Sequence, residues 1–192
     1  MKMKIQILFF LLLFLNGNLW SQVKREFEQR ITVSEVPERA RAWFKSTYGN
    51  PSKVKWYREI TTGKLSYEAK LKRNKKWHSV EFDSLGVVED VEIKIRKKEI
   101  PKETREIIWS YFKSNYTKSK VSKIQLQWSG DENDLSKAII EKKPDKITVR
   151  FEIEFYGKNQ KEDEMWEGLF SDEGELLKRR KIILRPTDNL TY

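Results

Sequence analysis

The stretch Val36-Pro37-Glu38-Arg39-Ala40-Arg41-Ala42-Trp43-Phe44-Lys45-Ser46-Thr47-Tyr48 is answered later in the chain by a segment that opens on Ile100-Pro101 and closes on Tyr111-Phe112-Lys113-Ser114-Asn115-Tyr116. An apolar-Pro pair followed by this aromatic motif, met twice in the same order, predicts an internal repeat. Proline is tolerated in the first turn of a helix, where its missing N–H has no partner to lose, so each pair predicts a helix start. Val36, Ala40, Trp43, Phe44 and Thr47 then fall on one stripe of helical period, as do Ile100, Thr104, Ile107, Ile108, Tyr111 and Phe112. Gly49-Asn50-Pro51 ends the first helix by breaker chemistry.

Beyond each helix the period changes to two, the mark of half-buried strands. In the first half strands are expected near Lys53–Ile60, Lys64–Lys72, Lys76–Asp83 and Val87–Arg96. The clearest in the second is Ile147–Phe155, where Ile147, Val149, Phe151, Ile153 and Phe155 alternate with polar residues. Phe82-Asp83-Ser84-Leu85-Gly86 is matched by Phe170-Ser171-Asp172-Glu173-Gly174, a second correspondence between the halves. The fold class this predicts is α+β: a tandem duplication of a helix plus four antiparallel strands, with the helices packed on one face of a curved sheet. The repeats span residues 22–98 and 99–184 and form one domain, and 185–192 is a tail. The polar stretch Gly130 to Lys146 is expected to be a long surface loop.

Residues 1–21 carry the three parts of a secretory signal peptide. Lys2 and Lys4 form a positive start, Ile5 to Leu15 is apolar apart from Gln6, and Ser21 offers a small residue at the cut. The apolar run falls short of the roughly 20 residues a spanning helix needs. A periplasmic or secreted mature chain is therefore expected, with no transmembrane anchor after cleavage and no nucleic-acid partner. Cysteine is absent, which excludes disulfides, thiolate nucleophiles and Cys-ligated metals. The formal net charge of +10 favours anionic partners such as glycans or lipid headgroups.

The signal peptide, the doubled helix-plus-four-strand pattern, the apolar-Pro helix starts and the Phe-x-x-x-Gly hairpins resemble the PepSY-like proteins of Bacteroidetes, which are also described as beta-lactamase-inhibitor-like. The resemblance covers about Ile31 to Leu184. It implies an exported, non-catalytic binding module with two helices on one face of a curved antiparallel sheet, whose partner is an envelope or secreted protein such as a peptidase or another enzyme. It carries over no catalytic residue.

The residue chemistry agrees with that implication. His78, the single histidine, shares the parity of Phe82 and is expected to pack in the core. Glu162-Asp163-Glu164 and Asp131-Glu132-Asn133-Asp134 lack the spacing of a calcium loop, and no phosphate-binding glycine loop is present, so no cofactor or metal is expected. Asp83-Ser84-Leu85 matches a short O-glycosylation sequon but reads first as a turn.

The opposite parity supplies the binding candidates. If His78, Val80 and Phe82 face the helices, Trp77 faces away, and Met165 and Leu169 take the matching direction in the second half. Tyr57 and Tyr156 fall on the same outer side, beside Lys70, Lys72 and Arg150. Trp, Tyr and Arg are the usual anchors of interfaces, so these eight residues are the expected partner-binding set, with Trp77 and Met165 on a common exposed face. A carrier or sensor of an anionic ligand is the alternative function. A hydrolase using carboxylates is the third.

Overall fold

The computed structural model describes residues 22–183, residues 25 and 62 excepted, with side chains described from Phe27 onward. The signal-peptide and tail readings lie outside the described residues. The elements run β1 (Gln22–Lys24), β2 (Glu26–Ile31), α1 (Glu38–Tyr48), β3 (Val54–Thr61), β4 (Lys64–Arg73), β5 (Lys76–Asp83), β6 (Val88–Lys94), α2 (Lys102–Asn115), β7 (Lys118–Ser129), α3 (Glu132–Glu141), β8 (Thr148–Lys158), β9 (Asp163–Ser171) and β10 (Leu176–Ile182). The chain is α+β. One sheet runs in the order β1-β10-β9-β8-β7-β6-β5-β4-β3-β2, antiparallel throughout except where β1 pairs parallel with β10.

Both helices begin where the prolines place them, with Pro37 and Pro101 as the residues preceding the first turn. Gly49, at φ 74°, closes α1. The α1 stripe is buried as a unit: Val36, Ala40, Trp43, Phe44 and Thr47 all face the sheet. In α2 the stripe is narrower than its periodicity suggests, because Ile107 stays 48% exposed while Ile100, Thr104, Ile108 and Phe112 are buried. The core is aromatic. Trp43 meets Phe82 edge-on at 5.8 Å, and Phe112 lies 4.7 Å from Phe155 and 5.9 Å from Phe170.

The first-half strands fall within a residue or two of their expected bounds. The Asp83-Ser84-Leu85 segment is a turn, with the Asp83 carboxylate accepting from the backbone N–H groups of Leu85 and Val87. His78 is buried in the core beside Tyr48, whose hydroxyl lies 3.2 Å from its Nδ1, and desolvation lowers its pKa to about 4.

Two expectations are corrected. Gly130 to Lys146 is not a surface loop, because its middle folds into α3. Asp131 caps that helix by accepting from the Asn133 N–H at 2.8 Å, and Leu135, Ala138 and Ile139 at positions i, i+3 and i+4 are buried. The helix docks on α1: Trp43 Nε1 donates to the Glu132 carbonyl at 2.9 Å and Thr47 to Ser136 at 2.8 Å. Among the described residues three α-helices, not two, therefore accompany the sheet.

The second correction concerns the N-terminal segment, for which the helix-plus-four-strand scheme has no place. β1 and β2 are separated by a single residue, yet they stand at opposite ends of the strand order. Two peptide steps span at most about 7.6 Å between Cα atoms. The sheet must therefore curl until its two ends are joined by one short run of chain. This curl turns the face away from the helices into a concave furrow.

Candidate functional site

Alternation places every second side chain of β2 to β10 in that furrow. On an open sheet these positions meet water, and their sequence is accordingly charged. Here they are covered by the curl: Glu68 is 4% exposed, Glu167 4%, Gln125 6% and Glu152 6%. One cavity of about 370 Å³ is lined by residues of β2 through β8. Seven of its lining residues are carboxylates and four are lysines, so the interior of this basic chain is locally acidic.

The cross-strand register concentrates the acids. Tyr57 pairs with Glu68, Glu68 with Glu81, and Glu81 with Asp90, which sets three carboxylates side by side across β4, β5 and β6. Like charges directly opposite one another are destabilising. Glu81 carries the consequence: burial together with Glu68, Asp90, Glu59 and Glu92 holds its pKa well above the carboxylate range. Glu59 is pushed up to about 8, first by desolvation and then by Glu68, with which it shares a hydrogen bond.

Next to this row, the carboxylate oxygens of Glu28, Glu59 and Glu68 lie within 4.8 Å of one another. That is a spacing a metal ion accepts. The Lys70 ammonium already stands among them, 3.0 Å from Glu28 and 2.7 Å from Glu68, and these partners raise its pKa despite burial. Ser79 donates to the other Glu68 oxygen. Farther along, Lys123 pairs with Glu154 at 2.8 Å, and Arg180 with Glu167.

The expected binding residues divide among three places. Tyr57, Lys70 and Trp77 line the same cavity, with Lys70 4.6 Å above the Tyr57 ring and Trp77 52% exposed. Lys72 pairs across the strands with Trp77 and is exposed. Tyr156 and Met165 pair with each other in a separate shallow hollow at β9 and β10. Arg150 donates to Ser129 at 3.2 Å, and Leu169 is half-buried opposite Glu152. Trp77 and Met165 share a face of the sheet but not a patch. Three strands lie between theirs, a separation of roughly 19 Å at ordinary strand spacing, and Met165 is only half exposed.

Two further groups of charged and polar residues bear on the site. Arg179, Arg180 and Lys181 are spoken for by Glu162, Glu167 and Glu164, and Arg179 stacks over Trp166 at 3.9 Å on the helix side. Glu59, Glu68, Glu81, Glu92, Gln125 and Glu152 were not singled out by sequence, because alternating charge on a strand reads as a solvated face. A signal was present all the same: β3, β4, β5, β6, β8 and β9 each carry an acid at outward parity.

No family model and no curated protein matches the chain. Solved structures do. A DUF2874 family protein from Bacteroides ovatus is similar with a TM-score of 0.55 at 17% identity, over 81% of this chain and 98% of that one. A DUF2874 family protein from Bacteroides uniformis gives 0.51 at 17% identity, over 76% and 89%. A BLIP-like protein from Bacteroides fragilis gives 0.51 at 15% identity, over 82% and 92%. At these identities the likeness is one of fold, and it agrees with helices set against a curved antiparallel sheet. Among the described residues, no helix is long and apolar enough to cross a membrane.

Proposed function

We propose that this chain is a non-catalytic binding module, exported to the periplasm or beyond, which holds a protein partner on the curled face of its sheet. The single observation that carries the reading is the cavity on that face, with Trp77 half in solvent at its lining and carboxylates converging behind it. Concave surfaces with convergent polar groups are where partners bind, and an exposed Trp at such a surface is a usual interface anchor. The PepSY-like resemblance and the fold shared with a BLIP-like protein support the same class, and the doubled order of helix and four strands fits an origin by duplication.

A protein partner is favoured over an anionic ligand, because the cavity lining has more acids than bases and the β10 basic run is ion-paired. A hydrolase is disfavoured because Glu68, the partner of Glu59, is held in an ion pair with Lys70 at 2.7 Å, and the one histidine packs against Tyr48 in the core.

A photo-crosslinking residue at position 77 tests the reading in the native envelope, with position 107 on the helix side as control. One protein captured from 77 and not from 107 is the expected result. The purified pair should then lose about 2 kcal/mol of affinity, roughly 30-fold, on Trp77→Ala with the fold intact. Equal binding by the variant overturns the proposal.

A further inference from the structure

The curled face contains a half-buried acid that the ion-pair network leaves aside. Lys70 serves Glu28 and Glu68, Lys123 serves Glu154, and Arg180 serves Glu167. The side chain of Glu81, at the centre of the Glu68–Glu81–Asp90 row, forms no hydrogen bond or ion pair among the described residues, and the charged groups that shift its pKa are carboxylates. Farther along the same face, beyond Glu92, Gln125 is 6% exposed. Its amide N–H donates to Glu92 at 2.6 Å, while its Oε1 is buried without a donor. Both residues line the same cavity. A buried acceptor that lacks a donor, as Gln125 Oε1 does, is costly to keep and calls for a partner.

We propose that this part of the furrow, formed by Glu68, Glu81, Glu92 and Gln125, receives a basic side chain, the guanidinium or ammonium of an Arg or Lys on the bound polypeptide. The inference rests on the curled face being the binding surface and names what enters it. An organic cation fits better than a metal ion. Glu81 is not among the three carboxylates whose oxygens converge within 4.8 Å, and that group already holds Lys70. A calcium ion needs ligand oxygens at about 2.3–2.6 Å. A guanidinium carries five donors in a planar fork and can reach acceptors that stand apart, in the low-dielectric surroundings where charge-assisted bonds are strongest. Trp77, half exposed on the same cavity, offers a ring face for the aliphatic stem or the cation itself.

The test uses the mature chain and calorimetric titration with acetyl-Gly-Arg-Gly-amide, its Glu counterpart, spermidine and calcium chloride. Each is run on the wild type and on Glu81→Gln and Gln125→Leu, with circular dichroism and melting as fold controls. Saturable binding of the Arg peptide, weakened tenfold or more by Glu81→Gln, with no binding of the Glu peptide, is the expected result. Tighter binding of spermidine than of the peptide keeps the cation and overturns the polypeptide as its source. Saturation by calcium that displaces the Arg peptide overturns the organic cation. Equal binding of Arg and Glu peptides, both lost in Trp77→Ala, overturns this inference and leaves the curled face as a binding surface. Binding of neither peptide nor any cation overturns both.

Discussion

Gly86 lies directly against Ala40: a Cβ at residue 86 would stand 2.8 Å from the Ala40 backbone nitrogen, at a residue whose φ is +81°. Gly174 meets α2 in the same manner, where a Cβ would come within 2.6 Å of the Thr104 carbonyl oxygen. The two hairpin tips are thus pressed onto the first turns of their helices. Gly86→Ala combines backbone strain with a clash against backbone, and should cost clearly more than about 1 kcal/mol. Gly63→Ala has φ +81° but open space around it, so denaturant melts of the two variants separate packing from strain.

The aromatic cores of the halves should be equally sensitive. Phe82 and Phe170 are fully buried, and replacing either with Ala is expected to cost roughly 3–5 kcal/mol by chemical denaturation. Lys75 gives the opposite result. It occupies a hairpin tip with φ 65° after Asn74 at φ 50°, a turn that prefers Asn-Gly. Lys75→Gly should therefore stabilise, by about 0.5 kcal/mol. Equal small losses at all three positions would contradict the strand parity.

Stability should fall as pH rises across neutrality. Glu59 ionises near 4.5 when unfolded but near 8 when folded, so the folded state binds the extra proton between those values. The stabilisation is complete below about 4.5 and is lost as pH rises through about 8. Glu81 acts in the same direction. His78, lowered to about 4, acts oppositely, costing stability as pH drops below 6.5. Melting temperatures between pH 7 and pH 9 should decline in the wild type and decline less in Glu59→Gln. Parallel slopes would show that the Glu59 proton is not held.

The halves should unfold together. β6 pairs with β7 across the midpoint, and α3 of the second half docks on α1 of the first through Trp43 and Thr47. A single calorimetric transition is expected for residues 22–192, and two resolved transitions would show that this junction does not couple them. Trp43→Phe, which removes the bond to Glu132, should lower the midpoint without splitting the transition.

What the sequence determined by itself was everything that depends on local period and on proline, glycine and aromatic spacing. Pro37 and Pro101 mark the helix starts, the Val36 to Thr47 stripe is the buried stripe, and the outward direction of Trp77 follows from the parity of Phe82. The helix in 132–141 was also written there, in the Asp131 cap and the Leu135, Ala138 and Ile139 spacing, but four apolar residues, one of them the exposed Ile140, in an acidic and lysine-rich stretch gave too faint a period. The binding furrow was decided only by the tertiary structure. Whether Glu68 or Glu81 meets water depends on the curvature of the whole sheet and on a chain that joins its two ends between β1 and β2. Alternation fixes which face a side chain takes, since it is a property of each strand alone. Burial of that face needs strands far apart in sequence to close over it, and no local pattern encodes that distance.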